Sequence, residues 1–259
     1  MLRDLAGSVI RRIKSIPGLA RAQPPDRKSG IFPVRLPLAP DEKTGWKPYA
    51  VFSKRTLGGE EIASHVSVLS PGKIPHPPHR HPEEEILLLL SGGLETFTSE
   101  EQVASGTAAV HLRPGQLYLY PAGFTHTIRS SGREPAQYLM VKWASGGGVP
   151  GPHLPPGLHN LDVPAAPGNP GFRPHLLFEG ATSCMHTLHC HVTRLDPGAG
   201  YPPHADPYDV VIVMLEGTAV TLGTVISAHD VVFYRAGEPH GMQNPAASPA
   251  RYLVCEFHW

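Results

Sequence analysis

The chain has 259 residues, enough for one large domain or two small ones with a substantial core. Lys plus Arg equals Asp plus Glu at 22 each, so the formal charge is zero and gives no electrostatic reason to expect a nucleic-acid partner. Three Cys (Cys184, Cys190, Cys255) form an odd set without a C-x-x-C pair, and no apolar run reaches membrane-spanning length. A disulfide framework is therefore not expected, a reducing cytoplasm is, and stable membrane insertion is not.

Along the chain, residues 1–44 read as an N-terminal arm. Leu2, Leu5, Val9, Ile10, Ile13 and Ile16 recur at helical spacing, with Arg3, Arg11, Arg12 and Lys14 among them, which predicts a short basic amphipathic helix. It is expected to pack on the folded body or on a neighbouring subunit, the alternative being a membrane surface. Asp4, Arg11 and Arg12 interrupt any signal-peptide core. Beyond the arm, 30 Pro and 27 Gly punctuate short apolar runs, the pattern of an all-β protein with many turns.

The next segment carries the chemistry. His79 and His81 stand at i and i+2, facing one side if they lie on a strand, and Glu85 shares their parity. Farther on, the turn Pro121-Ala122-Gly123 leads to His126, with Gly123 permitting the tight turn. Three imidazoles and one carboxylate suit one divalent transition metal: Fe first, with Mn, Ni, Zn and Cu as alternatives. The runs Ile86 to Leu90, Gln116 to Tyr120 and Tyr138 to Trp143 are short and apolar, as strands buried on both faces would be. Residues 146–171, rich in Pro and Gly, read as a linker with little regular structure.

The remainder repeats what came before. His65-Val-Ser-Val-Leu-Ser-Pro71-Gly72 matches His191-Val-Thr-Arg-Leu-Asp-Pro197-Gly198 at an offset of 126, and Pro77-Pro78-His79 matches Pro202-Pro203-His204 at 125. Tyr120-Pro-Ala-Gly123 and Pro135-Ala-Gln-Tyr138 match Tyr234-Arg-Ala-Gly237 and Pro249-Ala-Arg-Tyr252 at 114, so the second copy has a connection 11 residues shorter. Val210 to Leu215, Val231 to Tyr234 and Tyr252 to Phe257 are its strands.

These residues resemble the cupin family. Its first motif stands here as Gly72, six residues, His79-x-His81, three residues, Glu85, six residues, Gly92; the second stands as Gly115, five residues, Pro121-x-Gly123, two residues, His126. The first gap is one residue longer than the family's usual spacing, and Ser130 replaces a frequent Asn. The resemblance implies an all-β bicupin of two tandem double-stranded β-helix (jelly-roll) barrels. A metal-binding domain would span 45–145 and a degenerate one 172–259, and the metal would be held inside the first barrel by His79, His81, Glu85 and His126. In the second copy His204, His240 and Asn244 keep their places, but Asp206 replaces the second His and Val210 the Glu. That copy is expected to serve as scaffold or dimer interface. The alternatives are a site rebuilt from His204, Asp206 or Asp209 and His240, or a metal-free pocket.

Glu83 and Glu84 read as solvated charges or as an acid or base beside the metal. His76 reads as a mouth residue. His65 and His191 share one repeat position, which suggests a structural role, while His189 and His191 alternate on one strand. Tyr118, Tyr120 and Arg129 are possible substrate-orienting groups. Cupins span oxygenases, non-redox metal enzymes and binding proteins, and fold does not choose among them. The expected function is a metal-dependent enzyme, a dioxygenase first, acting on a small organic substrate within a low-polarity cavity lined by the Leu87 to Leu90 run and its aromatic neighbours. The alternatives are an isomerase or lyase acting on a sugar acid or keto acid, and a small-molecule-binding or regulatory bicupin with a structural metal. A homodimer is the expected assembly.

Overall fold

The computed structural model describes residues 28–164 and 171–259; the helix expected between Leu2 and Ile16 lies outside them. The first half contains β1 (Gly30–Phe32), β2 (Trp46–Arg55), β3 (Glu61–Leu69), β4 (Glu84–Ser91), β5 (Leu94–Phe97), α1 (Glu100–Ser105), β6 (Val110–Leu112), β7 (Gln116–Tyr120), β8 (Thr127–Ser130) and β9 (Ala136–Ala144). The second contains β10 (Gly157–Asn160), β11 (Phe172–Gly180), β12 (Thr187–Leu195), β13 (Gly200–His204), β14 (Asp209–Glu216), β15 (Thr218–Thr221), β16 (Thr224–Ser227), β17 (Val231–Tyr234), β18 (His240–Gln243) and β19 (Ala250–His258).

Each half is a jelly-roll barrel made of two facing sheets, as the sequence leads one to expect. In the first, the six-stranded sheet β10-β7-β4-β9-β3-β2 closes over the three-stranded sheet β6-β5-β8. Leu87, Leu89, Tyr118, Tyr120 and Met140 from the large sheet pack inside against Leu94, Leu112 and Ile128 from the small one. In the second, β1-β17-β14-β19-β12-β11 closes over β13-β18-β15-β16, with Ile212, Met214, Tyr252 and Val254 packed against Ala219, Ile226 and Met242.

The apolar runs have no polar alternation because their outward faces are buried too. Ile86, Leu88, Leu139, Val141 and Trp143 form one cluster with Val211, Val213, Leu253, Cys255 and Phe257, so the two large sheets share a core between the barrels. Trp143 meets its repeat counterpart Phe257 edge-on, with ring centroids 5.3 Å apart. Leu88 therefore belongs to the joint between the barrels, and of this run only the alternate residues Leu87 and Leu89 face the interior of the first barrel.

Two expectations are corrected. The segment read as a linker with little regular structure supplies the four-residue β10, which adds to the first barrel by pairing with β7 (Leu158 opposite Tyr118). Reciprocally, β1 of the arm pairs with β17 of the second barrel (Ile31 opposite Val232). Each half thus lends its leading strand to the other, and the exchange covers one edge of each large sheet. Glu84 is not a solvated charge: it is 1% exposed, and it accepts hydrogen bonds from Trp143 Nε1 (2.8 Å), Ser183 N (2.9 Å) and Ser183 Oγ (2.7 Å), tying the halves together. The longer connection of the first copy is α1, between β5 and β6. Ser99 caps it by accepting from Gln102 N at 3.2 Å, and left-handed Gly106 ends it. The second copy has a tight hairpin there, through Leu222 and Gly223, both at positive φ.

Candidate metal centre

His79 and His81 do not lie on a continuous strand. They occupy the connection between β3 and β4, where Pro77, Pro78 and Pro82 offer no N–H groups to a ladder and His79 forms an isolated bridge with His126. The main chain is fastened at single points instead. His79 and His126 exchange both backbone hydrogen bonds (3.1 and 2.9 Å), and Gly123 N donates to His81 O at 2.8 Å. Glu85 is the second residue of β4, and its inward parity follows from strand alternation. Turn and strand thereby bring together His79, His81 and His126, whose ring centroids lie 5.0 to 5.2 Å apart and whose ligand nitrogens lie within 4.8 Å of one another.

Ring orientation is set by backbone carbonyls. Nδ1 of His79 faces His126 O (3.2 Å), that of His81 faces Glu83 O (2.9 Å) and that of His126 faces Phe124 O (2.9 Å). A carbonyl only accepts, so each Nδ1 carries a proton, and in the neutral ring Nε2 keeps the lone pair a metal would use. Yet His126 Nε2 faces Glu85 Oε1 at 2.8 Å, and His81 Nε2 faces Glu85 Oε2 at 3.4 Å. Each such contact is closed by a cation between the two atoms, either a proton on Nε2 or a metal ion. His81 Nε2 is buried and has no hydrogen-bond partner, as a ligand nitrogen awaiting a metal would be. Burial, then the neighbouring imidazoles, push His79 down to about 4, which keeps it neutral and ligand-competent. These residues fit a divalent transition metal.

One member of the site was not foreseen. Lys142 of β9 places Nζ 2.6 Å from Glu85 Oε2. Burial opposes charge on Glu85, but the Lys142 ammonium, helped by His126 and His81, holds its carboxyl well below the usual range. The sequence signal was available: Lys142 interrupts the apolar strand Tyr138 to Trp143 at an inward position shared with Tyr138 and Met140.

The remaining candidates have defined places. Tyr120 stacks on His126 (centroids 4.3 Å) and donates to Thr96 Oγ1 at 2.9 Å, so it positions a ring of the site. Tyr118 lies 4.5 Å behind it in the barrel interior. His76 packs edge-on against His79 at 4.0 Å. Arg129 is taken up by Glu95 (2.7 and 2.8 Å) and the Phe97 ring. His65 is buried on β3 opposite Met140.

In the second barrel His204, Asp206 and His240 converge, with ligand atoms within 4.8 Å of one another. The same logic operates: Nδ1 of His204 and of His240 face Pro202 O (3.2 Å) and Glu238 O (3.0 Å), and Asp206 Oδ2 lies 3.5 and 3.2 Å from their Nε2 atoms. Tyr234 stacks on His240 as Tyr120 does on His126. Asp209 is not part of this group. It takes the outward position equivalent to Glu84, is 1% exposed, and accepts from Ala236 N at 3.0 Å. Strand alternation separates it from the inward-facing Val210.

A profile of the cupin domain matches residues 65–142 and 191–256, more than half of the chain, and the protein belongs to the cupin family. In fold it is similar to a Pseudomonas aeruginosa protein described as glyoxylate induced (16% identity, covering 93% of each chain, TM-score 0.69). A deletion mutant of Bacillus subtilis oxalate decarboxylase aligns at 17% identity over 84% of this chain and 74% of that one, with TM-score 0.58. Salicylate 1,2-dioxygenase from Pseudaminobacter salicylatoxidans aligns at 16% over 76% and 70%, with TM-score 0.57. Identities this low concern the fold alone. No curated protein sequence matches the chain. The bicupin architecture expected from the two motifs is thus the observed one, and its His-rich groups can bind a metal.

Proposed function

We propose that this chain is a metal-dependent enzyme acting on a small organic acid, with dioxygenase chemistry at the first barrel as the leading reading. The observation that carries it is the convergence of three imidazoles on Glu85, with their proton positions set by backbone carbonyls and Lys142 adjoining. His79, His81, His126 and Glu85 would hold the metal, iron being the leading choice. When bound, it would supply a Lewis acid and a redox centre for dioxygen chemistry. The protein supplies the rest. Leu87, Leu89 and Tyr118 exclude water from the interior. Lys142 has three N–H donors and adjoins Glu85, so it can orient an anionic substrate oxygen. Two solved structures of similar fold, named for oxalate and salicylate, concern carboxylates, which supports the acid class.

The test is oxygen uptake by iron-loaded protein presented with a panel of hydroxy-, keto- and dicarboxylic acids. Oxygen consumption matched to substrate loss, abolished by His79→Ala, is expected. Turnover retained with zinc under anaerobic conditions would replace this reading with isomerase or lyase chemistry. Tight binding without turnover would make the protein a small-molecule binder.

A further inference from the structure

The register of the large sheets lets the two barrels be compared residue by residue beyond the motifs. In the first, Ser53, Ala63, Lys142 and Glu85 lie opposite one another in one row across β2, β3, β9 and β4. In the second, the same row reads Glu179, His189, Glu256 and Val210 across β11, β12, β19 and β14. The second barrel has lost the carboxylate of the metal motif. In its place it carries a carboxylate one strand away, where the first has Lys142, and an imidazole one strand further.

His191 joins them, two residues along β12 from His189 and therefore on the same interior face. One donor atom each from His189, His191 and Glu256 lie within 4.8 Å of one another. His189 Nε2 is 3.1 Å from His191 Nδ1. Two nitrogens each about 2.1 Å from one metal and about 90–110° apart are separated by about 3.0–3.4 Å, so the spacing suits neighbouring ligands of a single ion. The groups behind them hold this arrangement. Glu179 Oε2 accepts from His189 Nδ1 at 2.5 Å, which turns Nε2 toward His191. Glu256 is backed by His258 Nε2 at 3.1 Å, whose ring packs on Tyr208 at 3.9 Å. A carboxylate behind a ligating imidazole is the usual means of fixing its tautomer and raising its basicity.

We propose that His189, His191 and Glu256 bind a divalent transition metal on the interior face of the second barrel, at a site separate from the motif positions His204, Asp206 and His240. Two imidazoles and one carboxylate leave open positions, so the ion is accessible to water or to an oxygen ligand.

The experiment titrates Zn²⁺ alone into chelator-stripped full-length protein and counts bound metal by elemental analysis. The background is His79→Ala, His81→Ala and His126→Ala with His204→Ala and His240→Ala, which removes the imidazoles of both motif positions. One equivalent of Zn²⁺ should survive in it and disappear when His189→Gln and His191→Gln are added. Absence of any surviving equivalent, or survival indifferent to those two substitutions, overturns the proposal. Should the double-Gln variant misfold, Glu179→Gln decides: it alters an exposed carboxylate and leaves the ligands in place. A loss of Zn²⁺ affinity of about tenfold supports the site, and unchanged affinity overturns it.

Discussion

Lys142 shows how one residue changes the character of a metal site. Its ammonium neutralises Glu85 in a corner that is otherwise buried, so an ion pair holds the carboxylate in place beside the three imidazoles. Removing one member of a buried pair leaves the other charge uncompensated, at about 3 kcal/mol or more. Lys142→Met should therefore lower the stability of metal-free protein by about 3 kcal/mol, and saturating metal should restore most of it. Denaturant melts with and without metal measure this, and equal losses in both states would show that Lys142 acts by packing. His65 gives a pH dependence of defined sign. Burial first, then Lys142, push it from 6.5 down to about 3, so the folded state keeps it neutral while the unfolded state takes up a proton below 6.5. Its contribution to stability is complete above about pH 6.5 and is lost as pH falls toward 3. Stability measured by denaturation between pH 7 and pH 4 should fall less steeply in His65→Gln.

At the scale of elements, the turns carry the duplication most faithfully. The motif glycines Gly92 and Gly217 both sit at positive φ, where an added Cβ would meet backbone at 2.8 Å and 2.5 Å respectively. These positions are glycine for two reasons, conformation and space. Gly115 also has positive φ, and its N–H donates to Leu89 O. Its counterpart in the second barrel is His229, at φ 73° with the same hydrogen bond, to Met214 O at 2.8 Å. A non-glycine residue in the left-handed region costs about 1–2 kcal/mol, partly offset by the entropy a glycine loses on folding. His229→Gly should therefore raise stability by about 0.5–1 kcal/mol, read as an increased denaturation midpoint with an unchanged slope. The second barrel has kept the turn after losing the residue that makes it easy.

For the whole molecule, the shared core and the exchanged strands make the halves interdependent. Trp143 and Phe257 meet between the barrels, Glu84 binds Ser183 across the joint, and β1 and β10 each complete the other half's sheet. The second barrel is therefore structural support for the first whatever it binds. Thermal unfolding should follow a single cooperative transition seen alike by tryptophan fluorescence and far-ultraviolet dichroism, whereas two separated transitions would show that the joint is weak. Trp143→Ala, which leaves a cavity and removes a donor to Glu84, should lower stability by about 3–5 kcal/mol without splitting that transition.

Much of this was legible in the one-dimensional pattern because it is local. The spacing of His79, His81, Glu85 and His126, the glycines of the turns and the order of the repeated segments all depend on strand alternation and backbone conformation, which neighbouring residues determine. The chain by itself therefore carried an all-β duplication and a metal-type donor set in its first copy, and its resemblance to the cupins implied the two jelly-roll barrels. Tertiary structure alone decided the pairings between residues far apart in sequence. It brought Lys142 to Glu85, turned Glu84 and Asp209 away from the sites, sent β1 and β10 into opposite barrels, and placed Glu256 beside His189. Each depends on sheet register and on which faces of two sheets meet. Those follow from burying apolar area across the whole molecule, and no stretch of sequence carries that information alone.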